Sequence, residues 1–498
     1  MTHYKQLILP ENMHSAPMPE FYLDRLIYLL NTDFDFHNHN SLYASHNFHS
    51  FPAKFPPQLP EKFIVSLTEP GDLVLDPMVG SGTTILEASL NNRYGVGFDI
   101  DPLAIRISKV KTFPLRRHDV LKAGATIISD AKKALADFQT AKAELEHFFK
   151  TDTKCFLDKW FLPEVQVELF ALVNEIKKIN DADLRNFFEV VFSSIIITKT
   201  GGVSMALDLG HTRPHVAKRI VNKSGDVLFG DKEEAIPNYL VKTLRSPVIE
   251  FEKRYRQNAE SLLSVGEIAY KARVDYGDAQ NIPLDDNSVD LIITSPPYAS
   301  NAIDYMRAHK FALIWLGYPL SDLTQKRKEY IGGEAIDEFQ FANLPARVND
   351  VIQKIQNLDQ KKGQVLRRYY SEMSRVIKEM KRVLKPGKAA IVVVGNSILK
   401  GIDTETPECL AAIGEALGFK VPAIGVRNLD RNKRMMPTGM NLDLNSQIQQ
   451  RMHQEYILGF YKSRRISKQM DIAELRTAYH RRICNDIPGS GNRLKATA

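Results

Sequence analysis

The chain has 498 residues, 44% of them hydrophobic, with 66 Lys+Arg against 59 Asp+Glu and three cysteines. That length accommodates about two to four structural units, and an ordinary apolar content with 25 Phe excludes disorder throughout. Cys155, Cys409 and Cys484 lie far apart and form no CxxC, which excludes a disulfide framework, a zinc ribbon and a thioredoxin-type motif.

No apolar stretch approaches the roughly 20 residues needed to span a bilayer. The N-terminus lacks a charged start leading into an apolar run, so a cytoplasmic protein is expected. Positive charge is concentrated. Residues 462–498 hold nine Lys/Arg and three acids, and residues 361–388 hold ten and two. Such patches suit a polyanion such as nucleic acid, and equally a solvated helix face and a loose tail.

Residues 1–44 read as an N-terminal extension with one amphipathic stretch, Phe21–Leu30. Leu73–Leu75 is a short apolar strand, followed by a Gly-containing turn, a helix from about Thr83 to Asn91 and a second strand, Tyr94–Phe98. Residues 116–270 change to a mainly helical period, with helices expected at Ala131–Phe149, Pro163–Ile179, Asp183–Ile197 and Val248–Val265 and a loop-like stretch at Thr200–Pro214. The α/β pattern resumes at Val274–Asp278 and Val289–Thr294. Gln364–Leu384 is an amphipathic helix ended by Lys385-Pro386-Gly387. Ala389–Val394 then reads as a buried strand, and Phe419–Val426 and Tyr456–Tyr461 close the pattern. The expectation is an α/β fold with a mostly parallel sheet, split by a helical insertion, and a ligand crevice at the carboxyl ends of the strands.

Two motifs carry chemistry. The first is Asp76-Pro77-Met78-Val79-Gly80-Ser81-Gly82-Thr83-Thr84, which follows a strand and opens a helix. Gly80 and Gly82 permit a tight turn that lets backbone approach a ligand. No Lys follows the glycines and GxGxxG is absent, which argues against a nucleoside-triphosphate loop and a dinucleotide fingerprint. Asp99, ending the next strand, can accept both ribose hydroxyls of a nucleoside. A cofactor with an adenosine, no phosphate and a charged amino-acid arm suits this set, and S-adenosylmethionine has those parts. The second motif is Ser295-Pro296-Pro297-Tyr298, directly after the apolar strand Val289–Thr294. The prolines fix φ and remove N–H donors, leaving carbonyl acceptors beside a Ser hydroxyl and a Tyr ring. An amino group with its base flipped from a duplex needs such acceptors and such a platform.

The two motifs resemble those of amino-methyltransferases acting on DNA, whose target loop reads Asn/Asp/Ser-Pro-Pro-Tyr/Phe. The Ser form resembles the cytosine-N4 branch of bacterial restriction–modification systems. His49-Ser50-Phe51-Pro52-Ala53-Lys54-Phe55 is similar to the segment that closes over the methionine arm, and Gly277-Asp278-Ala279 resembles the loop whose acid contacts the adenine. The resemblance covers about 45–115 and 271–462. It implies a Rossmann-like S-adenosylmethionine-dependent methyltransferase fold, a mostly parallel seven-stranded sheet with a terminal antiparallel strand. It assigns 45–115 to a cofactor-binding half and 271–462 to a catalytic half. The insertion, 116–270, becomes the candidate target-recognition region, with Ser321–Asn357 as a second candidate, and 463–498 is a basic tail.

The resemblance also implies that Phe51, Pro52, Lys54, Asp76, Pro77, Gly80, Ser81, Gly82, Thr83, Thr84, Asp99 and Asp278 hold S-adenosylmethionine. It implies that Ser295, Pro296, Pro297 and Tyr298 serve transfer to the amino group of cytosine in double-stranded DNA, with a cognate restriction endonuclease as functional partner and no metal or membrane. Adenine-N6 transfer, an RNA amino-methyltransferase and a non-catalytic nucleic-acid-binding protein remain the alternatives. A ring-carbon methylase needs a Pro-Cys nucleophile, and the chain has no such dipeptide. Asn301, Asp304, Tyr305 and Arg307 follow the Ser-Pro-Pro-Tyr loop and are candidates for the base pocket or the cofactor edge. Arg427, Arg431, Lys433 and Arg434 are expected in a loop between the last two strands, as phosphate contacts. His211, Arg213 and His215 have no acid or Cys at ligand spacing, so no metal site is expected there.

Overall fold

Short apolar runs alternating with helical segments build one seven-stranded sheet with helices on both faces. The computed structural model describes residues 18–51, 54–113, 115–198, 202–207, 209, 214–232, 234, 236–262, 268–299, 304–429 and 454–464. The first part of the chain forms α1 (Tyr22–Leu30), α2 (Gln58–Leu67), β1 (Leu73–Asp76), α3 (Thr83–Leu90), β2 (Tyr94–Asp99) and α4 (Pro102–Thr112). The middle forms α5 (Arg117–Ala136), α6 (Phe138–Phe148), α7 (Thr151–Trp160), α8 (Pro163–Lys177), α9 (Ala182–Ile196), β3 (Arg219–Val221), β4 (Val227–Phe229), β5 (Val241–Thr243) and α10 (Pro247–Ser261). The last part opens with β6 (Arg273–Tyr276), β7 (Val289–Thr294), α11 (Tyr305–Leu313), α12 (Leu320–Glu329), α13 (Ala346–Gln356) and α14 (Gln360–Val383). It closes with β8 (Leu384–Gly395), β9 (Ile398–Leu399), β10 (Ile402–Asp403), α15 (Thr406–Ala416), β11 (Ile424–Asn428) and β12 (Gln454–Tyr461).

The sheet order is β11-β12-β8-β7-β1-β2-β6. β6, β2, β1, β7 and β8 are mutually parallel, and β12 opposes both β8 and β11. The antiparallel strand is therefore last in the chain but second from the sheet edge, and β11 forms that edge. β11 also begins later than expected, at Ile424, because Lys420 makes only an isolated bridge to Tyr461. Lys385-Pro386-Gly387 is not a loop between helix and strand. β8 starts at Leu384, and the three residues occupy a register irregularity between the Val289↔Leu384 and Leu291↔Ala389 pairs.

β8 alternates between two cores, as a strand covered on both faces must. Ala390, Val392 and Val394 pack with Leu366, Tyr369, Met373, Ile377 and Met380 of α14. Ala389, Ile391 and Val393 pack with Leu26 and Leu30 of α1, Phe34, and Phe63 of α2. The boundary expected at residue 44 is thus not a structural one, since α1 covers the sheet. Gly459 of β12 makes room for it: a Cβ there would lie 2.5 Å from Leu30 Cδ1.

The middle of the chain has its own core, which includes Trp160, Phe187, Phe188, Phe192, Phe251 and Tyr255. Leu103 and Ile107 of α4, and Phe311 with Trp315 at α11, belong to the same core. The helix expected at Ala131–Phe149 is two helices, because the Asp137 side chain accepts from Thr140 N–H and caps α6. α7 and the three-stranded sheet β4-β3-β5 were not expected. Residues 1–462 form one compact unit and 463–498 a second, of which only Ser463 and Arg464 are described. Among the described residues, no helix is long and apolar enough to cross a membrane and no group of acids, His or Cys could hold a metal.

Candidate active site

The Gly-rich turn is held from two sides. Val79 N–H donates to Phe98 O of β2 at 2.8 Å, and Gly82 N–H donates to Val79 O at 2.8 Å. Gly80 and Gly82 have φ of +47° and +77°, the left-handed region that glycine enters without a Cβ penalty. A Cβ on Gly82 would stand 2.8 Å from Ser108 Oγ and 3.0 Å from its Cα. α4 reinforces the turn: Ser108 Oγ donates to Gly80 O at 2.9 Å and the fully buried Lys111 Nζ to Ser81 O at 2.7 Å. Burial, with Lys54 nearby, holds the Lys111 amine well below its usual pKa. Neither Ser108 nor Lys111 was anticipated.

The turn faces an open cleft at the carboxyl ends of the strands. It brings together ten of the expected residues: Phe51, Lys54, Pro77, Gly80, Ser81, Thr83, Asp99, Asp278, Ser295 and Pro297. Asp99 Oδ2 accepts from Gly80 N–H and Oδ1 from Asp101 N–H, both at 2.9 Å. Burial, and then the neighbouring Asp101 charge, push its carboxyl up to about 7. Asp278, just past β6, is exposed; Gly277 N–H before it donates to Asp99 O at 3.1 Å, and Asp278 Oδ1 takes Gln280 N–H at 2.9 Å. The Phe51 ring stacks on Tyr305 at 5.3 Å between centroids, and Tyr305 itself lines the cleft.

Several expected residues lie off the cleft wall. Asp76 is 3% exposed and sits beneath the turn. Burial raises its pKa to about 6, opposed by Met78 N–H, which donates to Asp76 Oδ1 at 3.2 Å, and by the neighbouring Thr294 and Thr84 hydroxyls. Thr84 is wholly buried and donates to Ile293 O at 3.2 Å, while Gly82 and Pro296 are likewise absent from the lining. Tyr298 does not stand as an exposed platform. It is 8% exposed, and its hydroxyl donates to Glu455 Oε1 at 3.0 Å. Burial and the Glu455 charge hold the phenol well above its usual pKa.

Arg427 is corrected outright. It lies within β11, buried, and donates to Glu455 Oε2 at 2.5 Å, so its charge is spent inside the sheet rather than on phosphate. The basic run at 361–388 is similarly engaged. Arg368 pairs with Glu372, Arg382 with Glu379 and Asp286, and Lys385 with Asp290. Asp304 caps α11 and pairs with Arg307 and Arg327. Pro52, Asn301, Arg431, Lys433, Arg434, His211 and Arg213 lie outside the described residues, as do all but two residues of the tail.

The structure adds residues that sequence reasoning passed over: Met78, Asp101, Glu329, Tyr330 and Ile331 on the wall, and His309 behind it. His309 Nδ1 lies 2.6 Å from Asp101 Oδ2, both buried, which ties the end of β2 to α11. Burial raises the Asp101 pKa, but the His309 charge and hydrogen bond outweigh it and the net shift is downward. A signal for Asp101 exists, since Asp-Pro is a helix-start signature and Asp101 caps α4.

A sheet of this order, with a Gly-rich turn and a Ser-Pro-Pro-Tyr loop meeting at its carboxyl edge, defines a Rossmann-like methyltransferase fold. Residues 28–110 match the DNA methylase family profile. The chain is 25% identical over 399 residues to the type II methyltransferase M.MvaI of Kocuria varians, covering 74% of this chain and 81% of that protein. It is 23% identical over 400 residues to the type II methyltransferase M.MjaII of Methanocaldococcus jannaschii, covering 63% and 72%. The crystal structure of a SAM-dependent methyltransferase from Methanosarcina mazei aligns with 81% of this chain and 98% of its own at 10% identity. Its TM-score of 0.28 is too low to inform the fold, which rests on the strand order. The chain is similar to the DNA amino-methyltransferases, enzymes whose methyl donor is S-adenosylmethionine.

Proposed function

We propose that the protein transfers a methyl group from S-adenosylmethionine to the N4 amino group of cytosine in duplex DNA, as the modifying enzyme of a type II restriction–modification system in the cytoplasm. One observation carries the reading: Ser295 and Pro297 share a cleft wall with Gly80, Asp99 and Asp278. The residues fit the donor. A Cβ on Gly80 would lie 3.4 Å from the Phe51 ring, so glycine is what leaves that cradle open. Asp99 would accept the ribose hydroxyls, Asp278 the adenine amino hydrogens, and Phe51 would cover the ring. S-adenosylmethionine supplies an electrophilic methyl group on a sulfonium.

The chain's own task is to make a poor nucleophile react. The lone pair of an exocyclic amino group is delocalised into its ring. The Ser295 hydroxyl and the Pro296 carbonyl would accept its hydrogens and favour a tetrahedral nitrogen with a localised lone pair. This is alignment and transition-state electrostatics, and it requires no covalent intermediate. Choice of cytosine rests on Ser at the first position of the loop. Target recognition is assigned to the helical insertion, and a cognate endonuclease would be the functional partner.

The test is transfer from labelled S-adenosylmethionine to unmethylated duplex DNA and to total RNA, with the modified nucleoside identified by mass spectrometry. The reading expects 4-methylcytosine in DNA. Methyladenine in DNA would refute the base and keep the chemistry. Label confined to RNA would refute the substrate, and cofactor binding without transfer to either would refute the activity.

A further inference from the structure

We propose that Lys159, Arg307, Lys310 and Arg327 form a phosphate-binding cluster that grips the DNA backbone beside the cleft; the partner named here rests on the DNA reading above. Three elements converge on it: the consecutive helices α11 and α12, and α7, which is distant in sequence. Arg307 and Lys310 lie on α11, whose first residue, Tyr305, lines the cleft. Arg327 lies in the last turn of α12, two residues before Glu329 of the same wall. Lys159 comes from α7 of the insertion.

The cluster carries more positive charge than it neutralises. Asp304 is the carboxylate bonded to it, 3.1 Å from Arg307 Nη2 and 2.5 Å from Arg327 Nε. Lys310 stands over the Phe156 ring at 5.2 Å and Lys159 over the Trp160 ring at 5.5 Å. Both rings pack on Phe311, at 5.0 and 5.1 Å, so the lysine stems are braced by the same aromatic core. Burial and repulsion from Arg327, Arg307 and Lys159 outweigh Asp304 and lower the Lys310 pKa. The Arg327 side chain is half exposed and Lys159 is exposed, so the charge faces solvent.

Cations held on helices whose ends line the cleft are placed to hold the backbone of a nucleotide drawn into it, and each phosphate neutralised releases condensed counterions. Lys328 and Lys326 extend the basic turn of α12, with Lys326 over the exposed Tyr276 ring at 4.7 Å. The phosphate contacts expected of Arg427 fall to this group.

The experiment compares full-length wild type with Lys159→Gln/Lys310→Gln/Arg327→Gln, by anisotropy of a fluorescent unmethylated duplex across a salt series. Three lost contacts should lower the slope of log K against log salt by about 2–3, and affinity near 0.1 M salt roughly a hundredfold. S-adenosylmethionine affinity reports folding. Should the triple variant misfold, Arg327→Gln alone must lower the slope by about 0.9, and Lys159→Arg/Lys310→Arg/Arg327→Lys must restore it. A folded variant with unchanged slope and affinity, beside a wild type that binds duplex, overturns the cluster alone. A wild type that binds RNA and not duplex DNA overturns the DNA reading and the partner named here.

Discussion

Glu455 decides whether Arg427 is a structural residue or a DNA ligand. The two face each other as a register pair across β11 and β12. The Glu455 carboxylate accepts from Arg427 at one oxygen and from Tyr298 at the other, and all three residues are under 9% exposed. Glu455→Gln keeps the size and an acceptor while removing the charge. It leaves a buried guanidinium without a counter-ion, and breaking a buried pair from one side costs about 3–5 kcal/mol. The retained amide oxygen places the expected loss at the lower end, about 3 kcal/mol. Arg427→Met should destabilise comparably by stranding the carboxylate. The double variant should recover part of the loss, with a coupling energy of about 2 kcal/mol. Urea unfolding followed by circular dichroism measures the sums, and hydrogen exchange across 454–461 localises them. Single variants within about 1 kcal/mol of wild type would refute the buried-pair argument. An Arg427→Met protein of full stability with a reduced salt slope for DNA would restore the phosphate role.

Three further outcomes follow from the site. Because burial and Asp101 push the Asp99 carboxyl up to about 7, and only the carboxylate can accept both ribose hydroxyls with both oxygens, S-adenosylmethionine affinity should rise by up to about tenfold per pH unit towards that value and level above it. Calorimetric titration from pH 5.5 to 8.5 checks this, and Asp99→Asn should bind weakly with a flat profile. Glu87 is raised to about 8, chiefly by burial, among Tyr43 and His46, so the folded state keeps its proton longer than the unfolded chain. Stability should therefore fall as pH rises from the ordinary carboxyl range through 8, and Glu87→Gln should flatten that part of the thermal-melt profile; parallel profiles would show that Glu87 is not the group responsible. Gly82→Ala combines left-handed strain of about 1–2 kcal/mol with an overlap on Ser108, whereas Gly225→Ala, at φ +90° with open space around it, carries the strain alone. Equal melting temperatures for the two variants would show that the contact with α4 is soft.

The parts of the fold legible in the sequence were those written in local pattern. β1, α3, β2 and β7 were each visible as an apolar run with a turn, and the two motifs attached to them do meet at one cleft. What was not legible depends on pairs distant in sequence. Arg427 read as a loop residue between the last two strands, because nothing local reveals that Glu455 lies opposite it. Tyr298 read as a free ring for the same reason. Asp101 and His309 are 208 positions apart, and only the packing of α11 brings them to 2.6 Å. β3, β4 and β5 are three residues each, too short for a period to register. The stretch at 21–30 did show an amphipathic face, yet amphipathicity names no partner. The glycines at 425 and 459 that admit α1 lie more than 390 residues away.

The insertion has a mechanical consequence that its length alone would not suggest. Its core absorbs Leu103, Ile107 and Val110 from α4, Phe311 from α11 and Trp315 just past it. α4 is the helix whose Ser108 and Lys111 hold the Gly-rich turn, and α11 follows the Ser-Pro-Pro-Tyr loop and carries Tyr305 and His309. The Asp101–His309 pair joins the same two helices from the cleft side. Close-packed interiors transmit displacement, so α4 and α11 cannot shift independently while that core is intact. A DNA contact on the insertion would therefore act on both walls of the cleft at once. Lys159, on α7 and within reach of the α11 cations, is the point at which such a contact would enter.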